Sequence, residues 1–104
     1  MGHDIFLFNK KGNQIGYLRY AMWNQHANYI YEIFDVPEFN AYVSGKGEQR
    51  TFYKQDILEA FAKYKKEYAH KPSMTTYEQT ELEQFMLSCE MGADLDGEVT
   101  IYFG

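Results

Sequence analysis

The spacing of apolar residues changes several times along the chain, and each spacing predicts one secondary-structure element. In residues 4–22, a short apolar run and a second stretch rich in β-forming residues lie on either side of a polar turn, which is typical of a β-hairpin. Apolar residues three and four positions apart predict helices at 24–34, at 53–68 and again from Thr75. The alternation returns from Val99 and predicts a last strand. The order β-β-α-α-α-β favours an α+β fold, in which a small antiparallel or mixed sheet is covered on one face by about three helices.

The turn of the hairpin predicts which residues of its two strands face each other. With Lys11 and Gly12 at the centre of the turn, each strand residue pairs with the residue equally far from that centre. The opposed pairs are His3 with Tyr20, Asp4 with Arg19, and Ile5 with Leu18. A shift of one residue would turn every side chain to the other face of the sheet. The observed register therefore shows whether the turn is placed correctly. The same register predicts a stabilising cross-strand ion pair between Asp4 and Arg19.

Capping residues predict where the third helix begins and ends. Thr75 with Glu78, or Thr76 with Gln79, forms the S/T-x-x-E/Q capping box that satisfies the first backbone N–H groups of a helix. Gly92 is a typical residue just after a helix end, because glycine adopts left-handed backbone angles without strain. The sequence therefore predicts that this helix ends near Gly92.

The segment between the first two helices is rich in small and polar residues. Serine and glycine are frequent at 40–49, which predicts a loop. Thr51 follows this loop and is a favourable N-cap residue. We therefore expect the second helix to begin just after Thr51.

Length and composition indicate one globular domain over residues 1–104. A chain of 104 residues has room for a single core. Aromatic residues make up 18% of the chain, enough apolar surface to offset the entropy of ordering it. The sequence shows no signal peptide and no apolar run long enough for a transmembrane helix. A single cysteine fits a reducing compartment, so we expect a cytoplasmic protein.

The charge is distributed unevenly. Residues 1–71 carry ten basic and eight acidic side chains, whereas from Pro72 onward there are seven acidic side chains and no basic one. The seven are Glu78, Glu81, Glu83, Glu90, Asp94, Asp96 and Glu98. Such asymmetry indicates either a solvated helix face with an acidic loop or a surface that binds a basic partner.

A metal site is predicted if the fold brings together His3, His26 and Cys89. The second strand ends beside the start of the first strand, and the helix that follows it would carry His26 toward His3. If the last strand runs parallel to the first, Cys89 lies at the same end. Two histidines, one cysteine and a carboxylate or water form a tetrahedral zinc shell. The alternative is that each residue has a separate role, with Cys89 a buried thiol on the apolar stripe of its helix.

Catalytic motifs give no competing prediction. The sequence contains no G-x-S-x-G element and no identifiable pair of catalytic carboxylates. The fragment 43–47 lacks the spacing of a phosphate-binding loop. Lysines interleaved with tyrosines at 53–68 are the best candidate for nucleic-acid stacking, but a pI near 5.1 argues against direct nucleic-acid binding. We therefore expect a protein without enzymatic activity.

Three blocks carry a resemblance to known proteins: Met-Gly-His-Asp-Ile at the start, the stretch 9–20, and Glu-Val-Thr-Ile-Tyr-Phe-Gly at the end. Together they resemble small uncharacterised phage and mobile-element proteins of Gram-positive bacteria. In size, acidity and lack of a catalytic motif the chain is also similar to anti-CRISPR proteins that block Cas9-type effectors. This resemblance implies a phage-encoded inhibitor and assigns no individual residue.

Two functional hypotheses follow. The first is a non-enzymatic inhibitor or adaptor whose seven C-terminal acidic residues bind a basic protein surface, such as that of a nucleic-acid-binding host effector. The second is a metal-binding regulator or small metal-dependent hydrolase centred on His3, His26 and Cys89, with zinc as the metal.

Overall fold

In the computed structural model, which describes residues 2–104, four antiparallel strands form one sheet. The strands are β1 (Gly2–Asn9), β2 (Gln14–Ala21), β3 (Glu48–Tyr53) and β4 (Glu98–Phe103). Their spatial order is β2-β1-β4-β3, so the first and last strands in the sequence occupy the centre. The predicted α+β class, with a sheet and three helices, is confirmed.

The helices lie against one face of this sheet. They are α1 (Ala27–Ile33), α2 (Lys54–Lys63) and α3 (Thr76–Asp96), with a short 3-10 turn at Pro37–Phe39 and a π-helical turn at Tyr64–Tyr68 that continues α2. Every second residue of the central strands is fully buried, including Ile5, Leu7, Val99, Ile101 and Phe103. The core is therefore formed between this strand face and the apolar stripes of the helices.

The hairpin has the register that the turn predicted. His3 pairs with Tyr20, and the predicted register holds as far as Leu7. Beyond Leu7 a bulge shifts the pairing by one residue. The Arg19 guanidinium lies 2.6 Å from the Asp4 carboxylate, and the Tyr17 hydroxyl donates a second hydrogen bond to the same oxygen. These bonds, first that of Tyr17 and then that of Arg19, lower the pKa of Asp4.

The second helix begins at Lys54, one residue from the predicted start at Tyr53, but a strand precedes it and Thr51 is not its cap. Residues 48–53 pair with β4, and Thr51 shares a 3.0 Å hydrogen bond with Thr100 across the two strands instead of capping a helix. Phe52 packs into the core, 5.2 Å from the Phe34 ring centre. The helix is capped at Tyr53, whose backbone N–H donates to the Asp56 carboxylate. The loop prediction for 40–49 therefore extends two residues too far.

The third helix begins as predicted and ends later. Thr75 and Glu78 form the capping box, with each side chain accepting a 3.1 Å bond from the other residue's backbone N–H. The helix continues through Gly92 and ends at Gly97, which has a positive φ of 81°. Gly92 is required for close packing instead, because a Cβ there would lie 2.6 Å from a Val99 methyl carbon. The prediction that the helix ends near Gly92 is therefore wrong.

Candidate protein-binding surface

The acidic C-terminal residues do not form one continuous patch, because α3 distributes them around its axis. Its buried stripe faces the sheet and includes Leu82, Phe85, Met86, Cys89 and Ala93. At 3.6 residues per turn, Glu83, Glu90 and Asp94 share one flank of the helix, toward α2. Asp94 lies there 3.6 Å from the Lys54 ammonium. Glu81 is on the opposite flank and faces β2.

Glu78 is part of the fold rather than of an exposed acidic surface. One carboxylate oxygen accepts 2.8 Å hydrogen bonds from the Asn24 amide and from His26 Nδ1, and the other caps the helix at Thr75. Burial raises the pKa of Glu78, but the bonds from Asn24, His26 and Thr75 outweigh it and lower the pKa to about 2. Its charge is therefore largely compensated inside the protein.

Four of the seven acidic residues remain available to a partner. Glu98 lies 4.0 Å from Lys10, and Asp94 has its contact with Lys54. The other acidic side chains make no hydrogen bond or ion pair within residues 2–104; they are Glu81, Glu83, Glu90 and Asp96. These carboxylates can accept hydrogen bonds from lysine or arginine of another protein.

Large apolar side chains lie in the solvent between the two acidic flanks. Tyr77 is 73% exposed, Met91 65% and Leu95 81%. Tyr77 and Met91 are two heptads apart and Leu95 follows one turn later, so all three lie on the solvent face of α3. The charge pattern did not identify them. The same helical periodicity that predicts the buried stripe places them on the opposite side.

A groove separates α3 from strand β2. At one end Ile15, Met91 and Leu95 line an apolar depression of about 190 Å³, and Asp96 is a further lining residue. At the other end a depression of about 230 Å³ is lined by residues 17–20, Tyr77 and Glu81. We call the two depressions together the β2–α3 groove. It combines apolar surface with carboxylates, which are the contacts expected for a basic, partly apolar ligand.

The groove at the other edge of the sheet has a different character. It lies between β3 and α2, has a volume of about 440 Å³ and includes the Phe34 and Phe52 side chains. Arg50 and Lys63 line it together with three carboxylates, so its charges largely offset one another. It therefore gives weaker electrostatic selection between partners than the acidic surface of α3.

His3, the first of the three predicted metal ligands, already has a partner for each ring nitrogen. The ring is completely buried, with Nε2 2.9 Å from the Tyr42 carbonyl and Nδ1 2.8 Å from the Tyr31 hydroxyl. A carbonyl only accepts, so Nε2 carries the proton and donates. In the neutral ring Nδ1 then accepts from Tyr31.

His26 and Cys89 lie in other surroundings. His26 Nδ1 donates to Glu78, and its Nε2 lies 3.2 Å from the Ser73 hydroxyl. Cys89 is fully buried in the core, as its apolar stripe predicted, and burial raises the pKa of its thiol.

Cys89 was expected near His3 only if the last strand ran parallel to the first, and this condition is not met. Strand β4 runs antiparallel to β1, so the residues that follow α3 reach the Asn9 end of β1 and not the His3 end. Within residues 2–104, no group of three or more His, Cys, Asp or Glu side chains is arranged to hold a metal ion. The zinc hypothesis thus remains a prediction without support from this geometry.

Comparisons with protein-family models, with curated proteins and with solved structures found no match to this chain. Among residues 2–104, none of the helices combines the length and the apolar character needed to cross a bilayer.

Proposed function

We propose that this domain is a non-enzymatic inhibitor that binds a basic protein surface through α3. The target class is a nucleic-acid-handling effector of the Cas9 type, whose positively charged channels hold RNA and DNA. Such a target places the inhibitor in the cytoplasm. Bound in a channel of this kind, an acidic helix competes with the phosphate backbone for the same lysines and arginines.

The observation that supports this proposal is the composition of the exposed face of α3. It presents Tyr77, Met91 and Leu95 to solvent between flanks that bear carboxylates, and no lysine or arginine occurs after residue 71. Protein interfaces commonly have an apolar centre surrounded by polar groups. The apolar side chains supply buried area, and the carboxylates select a basic partner.

The charge and the apolar centre make different contributions to binding. Long-range attraction between the acidic helix and a basic channel raises the association rate, and salt weakens it because the Debye length shortens to a few ångströms. Burial of Met91 and Leu95 mainly slows dissociation, because desolvated central contacts dominate the lifetime of a complex. Salt dependence and dissociation rate therefore report on separate parts of the surface.

The experiment measures binding to a purified Cas9-type effector, with and without guide RNA, and inhibition of its DNA cleavage. We expect wild-type protein to bind and inhibit, with affinity falling about tenfold between 0.1 and 0.5 M NaCl. The double variant Glu83→Lys with Glu90→Lys should bind at least about tenfold more weakly. Leu95→Ser should raise the dissociation rate by roughly fivefold while the association rate stays the same.

Matched controls use exposed positions elsewhere on the molecule. Glu48→Lys with Glu67→Lys changes the net charge by the same amount on residues outside α3, and it should leave binding unchanged. Leu58→Ser removes a partly exposed leucine from α2 and serves as the control for Leu95→Ser. Equal weakening by both charge pairs would show that net charge, and not the surface of α3, governs binding. Absence of binding to either form of the effector would overturn the proposed target class.

A further inference from the structure

Strand β2 is at the edge of the sheet and has a free side. It pairs with β1 alone among the strands of residues 2–104. Asp4 of β1 exchanges both backbone hydrogen bonds with Gly104, on the β4 side of the sheet. Because backbone direction alternates along a strand, the paired residues of β2 that bond to β1 are Leu18 and Tyr20. The N–H and C=O of Tyr17 therefore point outward, where an added strand would pair.

The β2–α3 groove lies directly beside this free edge. Helix α3 runs antiparallel to β2, since Met91 and Leu95 are near Ile15 at the start of the strand and Glu81 is near Leu18 farther along. Between the two depressions, a Cβ on Gly16 would lie 3.6 Å from Ser88 Cβ, so the helix approaches the strand closely there. The groove is therefore deep at both ends and narrow in the middle.

We propose that an extended segment of the basic partner binds as a fifth strand along β2 and inserts alternate side chains into the β2–α3 groove. The inference rests on the proposed function and specifies how the partner is recognised. Main-chain bonds to the free edge supply affinity, and the two depressions select the sequence. An apolar side chain fits against Ile15, Met91 and Leu95. A lysine or arginine at the other end reaches Glu81.

The dimensions of a strand fix the spacing of those two side chains. The bulge turns Ile15, and not Gln14, toward α3, so the groove-side positions of β2 are 15, 16 and 18. A regular added strand turns every second side chain toward the groove, so an apolar and a basic residue with one groove-facing residue between them are four positions apart, about 13 Å at 3.3 Å per residue. The residue between them faces the narrow contact of Gly16 with Ser88 and must be small. Charge complementarity also favours a basic ligand, because Glu81 and Asp96 line the groove, and Arg19, the one cation among its lining residues, is paired with Asp4 at 2.6 Å.

The test uses the synthetic peptide Thr-Leu-Thr-Ala-Thr-Lys-Thr and isotopically labelled full-length protein. We expect the peptide to shift the NMR signals of Tyr17 and of residues lining the groove, and to slow hydrogen exchange at the Tyr17 amide. Glu81→Lys should weaken peptide binding about fivefold, whereas Glu83→Lys, the same charge change on the other flank of α3, should not. A peptide with its leucine and lysine three positions apart should bind more weakly, because the two side chains then lie on opposite faces.

A backbone control separates strand addition from general attraction between charges. Peptide N-methylated at the residues that pair with Tyr17 keeps every side chain, but it cannot donate to the Tyr17 carbonyl and its methyl groups block close approach of the two strands, so its binding should be abolished. Equal binding of the methylated peptide, or shifts confined to other surfaces, would overturn the inference. If the effector binds through α3 while Tyr17 exchanges as fast in that complex as in the free protein, strand addition is wrong and the proposed function stands. If the effector does not bind the protein at all, the proposed function itself is wrong.

Discussion

Glu78 gives the sharpest test of how the acidic residues divide between folding and binding. Its carboxylate joins the start of α3 to Asn24 and His26, which lie more than fifty residues earlier in the sequence. Replacement by glutamine keeps the size of the side chain and removes its charge. We expect Glu78→Gln to destabilise the fold and Glu83→Gln, on the exposed flank of the same helix, to leave it unchanged.

The magnitude follows from the pKa of the carboxyl group. A decrease from 4.5 in the unfolded chain to about 2 in the folded protein corresponds to about 3 kcal/mol at neutral pH. Solvent screening reduces this upper value, because Glu78 is not fully enclosed, and we expect a loss of about 1–2 kcal/mol. For a domain of this size that loss lowers the melting temperature by roughly 5–10 °C.

The pH dependence of the lost unfolding free energy distinguishes removal of the Glu78 charge from simple damage to packing. A folded-state pKa below the unfolded value means that the stabilisation is complete above about pH 4.5 and disappears as the pH falls toward 2. Urea unfolding of wild type and Glu78→Gln should therefore give curves that differ at pH 7 and converge near pH 2. A difference that persists at pH 2, or an equal loss in Glu83→Gln, would refute the assignment of Glu78 to the fold.

Three further positions yield predictions of stability or reactivity. The Tyr20 hydroxyl is buried without a partner in residues 2–104, so Tyr20→Phe should leave the unfolding free energy unchanged or raise it by up to about 1 kcal/mol in urea titrations; a loss would indicate a missing hydrogen bond. Gly92→Ala should lower the melting temperature despite the better helix propensity of alanine, because the new Cβ would meet Val99, and overpacking costs about 1–3 kcal/mol. Cys89 should react with iodoacetamide only as fast as the protein unfolds, because the thiol is fully buried; fast labelling under native conditions would contradict its core position.

Local sequence rules predicted the parts of the fold that depend on neighbours in the chain. The hairpin register follows from the position of Gly12, and α3 starts at the first of its two predicted capping boxes, Thr75 with Glu78. Strand β3 was not predicted, because its six residues lie between a glycine-rich loop and a helix, and its pairing runs from Glu48 with Phe103 to Tyr53 with Glu98, far apart in the sequence. The role of Gly92 was misjudged for the same reason, since the contact that requires glycine comes from another element.

The acidic charge of α3 could be predicted from the sequence, but the arrangement of that charge could not. Counting acidic residues identified α3 and its surroundings, whereas the sequence could not show that His26 and Asn24 bind Glu78. Nor could it show that β2 leaves an open edge beside the helix, because that depends on strand order. Exposure of Met91 follows from helical periodicity once the buried stripe is known.

The exposed face of α3 also breaks the rules that stabilise helices, which is an argument for binding. Glu90 and Asp94 are like charges one turn apart, and such pairs destabilise a helix by a few tenths of a kcal/mol. Asp94 and Asp96 stand in the last turn, where the helix dipole favours cations and no basic side chain is present. Leu95, four-fifths exposed, contributes almost no burial to the fold. Asp94 is partly compensated by Lys54, but folding gives no such reason for Glu90, Asp96 and Leu95, whereas a basic partner would neutralise the carboxylates and cover the leucine.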